Sequence, residues 1–433
     1  VTMLDQARLA AYEVLTAVRA DDAYTNLVLP QVLAKHGLTG RDAAFVTELA
    51  AGAIRRRGTY DAILDSCADR IQPRVRDALL LGVHQLLSMR VPHHAAISTT
   101  VDLVRSRNKG AAGFANAVLR KVSSDDLDGW IASVAPAADT DPIGHAVVAH
   151  SHPRWVVEAL AAALTAGDRA EELGALLAAD NENPKVTLVA RPGVCTVAEL
   201  IEAGGVATGR SPYAVELAGG DPGAIPAVAE GRAGVQDEGS QRVALALTEA
   251  SLSGPDERWL DLCAGPGGKT ALMAAVAAGR GARVLANEAL PHRTELVARH
   301  VRAVRAGMLD VVTGDGTRPD WEPASFDRVL IDAPCSGLGA LRRRPEARWR
   351  KRPEDLDTLV PLQRALLSAG VDSVRPGGVV VYATCSPVLA ETRGVVDAVL
   401  SSRDDVREER AEQLWPHVDG SDAMFFSVIR RTP

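Results

Sequence analysis

The sequence predicts a multidomain chain: an all-α N-terminal domain, a small α/β connecting subdomain and an α/β, Rossmann-like C-terminal domain. Three observations carry this. The 433 residues exceed what one hydrophobic core usually organises. Apolar residues recur at helical spacing from Leu4 to about residue 122. From residue 258 onward, apolar runs of strand length alternate with helical segments, the pattern of βαβ units and a parallel sheet.

In the first region Leu4, Ala7, Ala11, Val14, Leu15 and Val18 mark one amphipathic helix, and Val75, Leu79, Val83, Leu86 and Leu87 another. Breaks are expected at Gly37–Gly40, Gly58, Gln72-Pro73, Val91-Pro92 and Lys109-Gly110. The start, VTMLDQARLAAYEVL, has acidic residues and no small-residue cleavage site, so it does not read as a signal peptide. The first residue is Val, which leaves room for a preceding segment. Residues 123–150 are acidic and Pro-containing and read as a linker. A helix is expected at about 153–165, then short strands such as VTLVARP among many Gly and Pro. The expected divisions are 1–138 helical domain, 139–165 linker and connecting helix, 166–235 small α/β subdomain and 236–433 catalytic domain.

Hydrophobic residues make up 47% and charged residues 24%, an ordinary globular balance without a membrane span. The five cysteines are odd in number and lack a CxxC, which points to a reducing cytoplasm and away from structural zinc. The ten histidines form no cluster with metal-ligand spacing, and no metal, membrane or obligate protein partner is expected. The net charge of −7 disfavours a nucleic-acid partner only on average: residues 1–122 hold 16 Lys+Arg against 11 Asp+Glu, and the remainder 32 against 44. Local patches decide RNA affinity, because phosphates are neutralised at the contact surface. Arg55-Arg56-Arg57 and Arg105/Arg107/Lys109 are such clusters, although a solvated helical scaffold explains them equally well.

The expected strand RWLDLC runs into Asp261-Leu-Cys263-Ala264-Gly265-Pro266-Gly267-Gly268-Lys269-Thr270, where a helix begins. A glycine turn here lets main chain approach a ligand at the helix start. A P-loop would need Gly at Cys263, and a dinucleotide loop would need Gly at Thr270. The pattern D-x-x-x-G-x-G, associated with S-adenosylmethionine, is complete. The next strand ends at Glu288, 21 residues after Gly267, close to the ~20 expected of a ribose-binding carboxylate. A third strand leads to Asp315, placed to reach the adenine amino group. Separately, each is as readily a surface or turn carboxylate; together, after successive strands, they favour the cofactor. Lys269, one of only six lysines among 48 basic residues, implies a need for a compact ammonium toward the methionine carboxylate or the base.

The fourth and fifth strands end in Asp332-Ala-Pro-Cys335 and Thr384-Cys385. A lone cysteine is most often a small buried hydrophobe, but two in Gly/Ser/Pro-rich turns at strand ends beside a methyl donor suggest covalent catalysis. C5 of cytosine is a poor nucleophile until a thiolate adds to C6. Nearby basic residues and turn N–H groups would favour that thiolate, and Asp332 could hold the cytosine amino edge. The residues alone leave open which thiol attacks. Just beyond lies a basic run, Arg342 to Arg352, around Trp349. Either it is a solvated charge run, or Arg343, Arg344, Arg348 and Arg350, with Arg55 and Arg56, clamp RNA phosphates. Trp349 would stack on a base or anchor the loop. A looped or single-stranded target is expected, since the cytosine must leave any stack.

The segments LDLCAGPGGKT, NEAL, TGDG, DAPCSGLG, RRRPEARWR and YATCS together resemble the NOL/NOP/Sun family of RNA cytosine-C5 methyltransferases, over roughly 236–433. The resemblance implies a class I methyltransferase fold using S-adenosylmethionine, with Cys385 as nucleophile and Cys335 as helper of product release. LTGRDAAFVTELAAGAIRRRGTYDAIL and AAGFANAVLRKV resemble the NusB-like RNA-binding domain of RsmB-type (Sun/Fmu) enzymes, which act on 16S ribosomal RNA. The implied partner is 16S rRNA or a small-subunit intermediate. A tRNA cytosine-C5 methyltransferase and a non-catalytic NusB-like assembly factor are the alternatives. One departure is DAMFFSVIRR, which lacks the family's usual Gly before the paired aromatics and implies a slightly altered last strand.

Overall fold

Helix capping shapes the N-terminal half. The computed structural model describes residues 4–21 and 23–432; Val1–Met3 of the expected first helix lie outside the described residues. Helices Gln6–Ala20, Thr25–His36, Gly40–Arg55, Arg57–Cys67, Pro73–Leu87, His93–Arg107 and Ala112–Val122 follow one another, and each expected break falls within two residues of a junction. Asp5 caps the first by accepting the Arg8 N–H at 2.9 Å, and Gly37 ends the second in the left-handed region, at φ 64°. The apolar stripes converge on one core that includes Leu49, Tyr60, Ile63, Leu79 and Leu119. Each buried leucine contributes about 1.5–3 kcal/mol.

Where a linker was expected at 123–150, the chain forms helices Leu127–Val134 and Pro142–Ala149. Two of the acidic residues that suggested a solvated linker are caps: Asp126 accepts from Gly129 N and Asp141 from Gly144 N, both at 2.8 Å. Helices Arg154–Ala166 and Leu173–Ala179 continue it. The compact helical unit runs to Asn183 and takes in Leu341–Lys351.

That later segment is held by buried polar groups. The fully buried Arg348 guanidinium donates to the carbonyls of Ser151 and Asp180, each at 3.1 Å, and to Asn181 Oδ1 at 2.8 Å. Glu346, also buried, accepts the Thr25 hydroxyl at 2.8 Å. The Trp349 indole donates to Ile54 O at 3.1 Å, and a Cβ at Gly58 would come within 2.5 Å of its ring.

The second unit comprises Pro184–Ala340 and Arg352–Pro433. It opens with a small antiparallel sheet of β1 (Val186–Ala190), β2 (Gly205–Ala207), β3 (Ala214–Leu217) and β4 (Ala233–Val235), ordered β2-β3-β1-β4. Helix Glu238–Thr248 ties it down: Glu238 accepts from Ser211 N at 2.7 Å and Thr208 Oγ1 at 2.6 Å.

The five expected strands form β5 (Arg258–Asp261), β6 (Arg283–Glu288), β7 (Met308–Thr313), β8 (Phe326–Asp332) and β9 (Val374–Thr384), all parallel. β10 (Val406–Gln413) and β11 (Phe425–Arg431) add an antiparallel edge, giving the order β10-β11-β9-β8-β5-β6-β7. The last strand is regular: Phe425 through Arg430 pairs residue by residue with Thr384 back to Val379. Apolar clusters cover both sheet faces, as a parallel sheet requires. The chain runs outward from β5 to β7, then returns to β8 on the other side of β5. In such sheets ligands sit at the carboxyl ends beside this reversal.

Candidate active site

The carboxyl ends of β5 through β9 bring the sequence motifs together. After β5, Gly267 adopts φ 111°, where a Cβ would meet His300 Cβ at 2.9 Å and Val297 Cα at 3.0 Å. Gly265 is tethered to β6: its N–H donates to Glu288 Oε2 at 3.0 Å, and its carbonyl accepts from Arg293 at 2.7 Å. A Cβ there would lie 2.1 Å from the Glu288 carboxylate. Gly265 and Gly267 therefore have no room for side chains, and the loop Cys263–Lys269 presents main chain at both. Glu288 itself is buried, its other oxygen accepting the Leu290 N–H at 3.1 Å. Asn287 joins neighbouring ends by donating to Leu262 O at 3.0 Å and Gly314 O at 3.1 Å. Asp315 is exposed beyond β7; one oxygen accepts from Thr317 N at 2.9 Å and Thr317 Oγ1 at 2.7 Å, which holds its carboxyl below the usual range.

Next to this loop lies a charged pair. The Lys269 ammonium reaches Asp332 Oδ2 at 2.7 Å and the Ser240 hydroxyl at 3.2 Å. Beneath it, Asp261 is buried and accepts from Thr270 Oγ1 at 2.7 Å; burial pushes its carboxyl up to about 7. The Gln236 side chain faces Gly268 and is buried, and neither its amide nitrogen nor its oxygen has a partner. A buried amide with donor and acceptor both open is costly unless a ligand completes it.

The two thiols meet at the ends of β8 and β9. Asp332 pairs with Ala383 in register, and Cys335 Sγ lies 3.3 Å from Cys385 Sγ. Gly339 N donates to Cys385 O at 2.9 Å; a Cβ at Gly339 would strike Ala423 O at 2.1 Å. The Cys385 contact, burial and the negative groups around it raise the Cys335 thiol well above its usual range, so it carries its proton at neutral pH.

The 16S rRNA methyltransferase RsmB/F family matches residues 252–430, and the NusB family matches residues 5–124. A Mycobacterium tuberculosis protein described only as a methyltransferase, Rv1407, is 52% identical, with 99% of this chain and 97% of that protein covered. The ribosomal RNA small subunit methyltransferase B of Pseudomonas putida is 31% identical over 98% of each chain. The chain belongs to the RsmB/F family of RNA cytosine methyltransferases. The crystal structure of PH0851 shares its fold, with a TM-score of 0.79, 20% identity and 99% coverage of each chain. As an RsmB/F methyltransferase with an N-terminal NusB region, the chain takes its methyl group from S-adenosylmethionine. The glycine main chain of this loop and the unpartnered Gln236 amide fit such a group.

The structure corrects part of the expected phosphate clamp. Arg348 and Arg55 are buried: Arg348 binds carbonyls of its own unit, and Arg55 donates to Arg342 O at 3.2 Å. Neither guanidinium can meet a phosphate in this arrangement. Arg350, half-buried, donates to Val18 O at 3.1 Å, and Arg56 donates to Ala149 O at 3.2 Å. Arg344 is exposed, its guanidinium 5.9 Å from the Tyr24 ring centroid, and Arg343 is half-buried. Trp349 anchors the segment. Sequence reasoning missed Gln236, Ser240, Arg293, Asn287 and the serines that follow the two cysteines. The repeated Cys-Ser dipeptide, at 335–336 and 385–386, was the available signal for the last pair.

Proposed function

We propose that this RsmB/F methyltransferase forms 5-methylcytosine in 16S ribosomal RNA through a covalent adduct between Cys385 and C6 of the base. The observation that carries the chemistry is the 3.3 Å approach of two thiols beside the Lys269–Asp332 pair. S-adenosylmethionine supplies an electrophilic methyl group. Gly265, Gly267 and Gly268, with Cys263, Ala264 and Pro266, would admit it along the main chain, with Glu288 and Asp315 toward its ribose and adenine. The Cys385 thiolate adds to C6 and makes C5 nucleophilic toward the methyl carbon. Loss of the C5 proton and cleavage of the C6–S bond then return the thiolate and free 5-methylcytosine. The family resemblance gives Cys335, whose Sγ lies 3.3 Å from that of Cys385, the role of assisting release rather than attacking. Asp332, paired with Lys269, would hold the amino edge of the cytosine.

The ribosomal target is supported by the NusB-family region and by the small-subunit name of the Pseudomonas putida relative. Such an enzyme works in the cytoplasm. Arg343, Arg344, Arg350 and Arg56 are the arginines of the expected clamp proposed to meet phosphate. The test is transfer of label from S-adenosylmethionine to unmodified 16S and tRNA transcripts, with wild type, Cys385→Ala and Cys335→Ala in parallel. The expected result is 5-methylcytosine in 16S RNA, none with Cys385→Ala, and a gel-stable protein–RNA adduct with Cys335→Ala. Label on tRNA alone would overturn the substrate; methylation by Cys385→Ala would overturn the nucleophile.

A further inference from the structure

Glu391 lies in the short turn Leu389–Glu391 that follows the Cys385 loop, and its side chain is fully buried. Four donors converge on its carboxylate. Oε1 accepts the main-chain N–H of Ser336 at 2.7 Å and the Gln363 amide at 3.1 Å. Oε2 accepts the hydroxyls of Ser336 at 2.5 Å and Ser386 at 2.6 Å. The Tyr382 hydroxyl, from β9, fixes the main chain of the turn by donating to Glu391 O at 2.7 Å. Gln363 also donates to Pro334 O at 2.8 Å. Ser336 directly follows Cys335, and Ser386 directly follows Cys385. One carboxylate therefore joins the two cysteine loops through the residue next to each thiol.

Burying a carboxylate costs several kcal/mol unless its oxygens are satisfied, and well-packed apolar groups would close a core as well. A charge with four convergent donors restricts geometry in a way apolar packing does not. We propose that Glu391 is a positioning residue that sets the spacing of the Cys335 and Cys385 thiols, so that both address one bound cytosine without loop movement. This rests on the two-thiol reading above. The same negative charge adds to the influences that keep the Cys335 thiol protonated, behind the Cys385 contact and burial.

The experiment uses the full chain and four variants: Glu391→Gln, Ser336→Ala, Ser386→Ala and the double serine variant. The first readout is the affinity for phenylarsine oxide, a reagent that bridges two neighbouring thiols with release of water and needs neither RNA nor cofactor. The second is kcat and KM for methyl transfer, and the third is S-adenosylmethionine binding by calorimetry. Glu391→Gln should weaken arsenical binding at least tenfold and lower kcat by about 10–100-fold, as misplacement by ~1 Å does, with KM and cofactor affinity within about twofold of wild type. Each serine variant should show a smaller loss of the same kind, and the double serine variant should approach Glu391→Gln. The serine variants carry the test if Glu391→Gln does not fold. Arsenical affinity unchanged in the variants would overturn the clamp, as would a parallel loss of cofactor binding. A wild-type chain that binds the arsenical but methylates no cytosine would overturn the two-thiol reading instead, while the arsenical arm still decides the clamp.

Discussion

The Lys269 ammonium and the Asp332 carboxylate form an ion pair at 2.7 Å, with side chains only 13% and 26% exposed. Burial is the strongest influence and works against the lysine charge, but Asp332, Cys385 and Asp261 together outweigh it, so the Lys269 pKa is raised. A compact ammonium reaches both Asp332 and Ser240, whereas a planar guanidinium is bulkier and fixes its donors in a fork. Lys269→Arg should therefore lower kcat by about 10²-fold, the order seen when one preorganised donor is lost. Lys269→Met with Asp332→Asn should cost less stability than the sum of the single changes, by about 0.5–3 kcal/mol, because each single change strands the other group. Thermal unfolding and single-turnover transfer of the five proteins check this; additive effects would mean the pair is incidental.

Gln236 presents a buried amide with no partner beside Gly268. An unsatisfied buried group costs about 1–3 kcal/mol, so Gln236→Leu should leave the ligand-free chain as stable or more stable. Cofactor affinity should fall by about 5–100-fold if two hydrogen bonds of ordinary strength are lost. Calorimetry and thermal unfolding on the same preparations separate the outcomes. Lower stability with unchanged affinity would make the amide structural.

The parallel sheet and its motif-bearing strand ends were legible because β5 through β9 are short apolar runs, each leading to a loop with a distinctive chemical group. β10 was not: VREERAEQ is charged, lies at the sheet edge and is defined only by pairing with β11. The stretch around Asp126 and Asp141 misled because a capping carboxylate and a solvated linker carboxylate look alike until the accepted N–H is known. Arg348 misled for the complementary reason. A guanidinium is buried when several carbonyls converge on it, and those of Ser151 and Asp180 lie 168 or more residues away in sequence. Glu391 had no local pattern at all, since its partners come from three separate loops and helices.

The corrected clamp has a direct consequence. Arg348→Ala leaves the buried acceptors Ser151 O, Asp180 O and Asn181 Oδ1 without their donor and should destabilise the helical unit, at about 1–3 kcal/mol per unsatisfied group. It should leave the salt dependence of RNA binding unchanged. Arg344→Ala, at an exposed position, should do the reverse: little change in unfolding, and a log–log salt slope shallower by about 0.7–0.9 for one lost phosphate contact. Fluorescence anisotropy with labelled RNA across a salt series, alongside thermal unfolding, reads both. An unchanged slope with Arg344→Ala would remove that residue from the interface.

Asp261 makes a prediction about pH. One of its oxygens accepts the Thr270 hydroxyl; burial pushes the carboxyl up from 3.8 to about 7, with Asp332 adding to the rise and Thr270, Lys269 and the Cys263 main chain opposing it. The folded chain therefore holds this proton more tightly than the unfolded chain does. Stability from that proton is complete below about pH 4, is lost as pH rises toward 7, and changes no further above it. Other carboxylates act in the opposite sense: Arg403 and Arg431 hold Asp405 down to about 2, so its contribution is lost only on acidification below the ordinary carboxylate range. Comparison with Asp261→Asn isolates the effect, since the amide does not titrate. Near pH 4 the two proteins should unfold at similar urea concentrations. At pH 8 the Asn variant should be the more stable, by up to about 4 kcal/mol at 1.36 kcal/mol per pKa unit. Trp259 on β5 offers a fluorescence probe close to the site. A stability difference that does not change between pH 4 and pH 8 would mean that Asp261 titrates alike in the folded and unfolded chains.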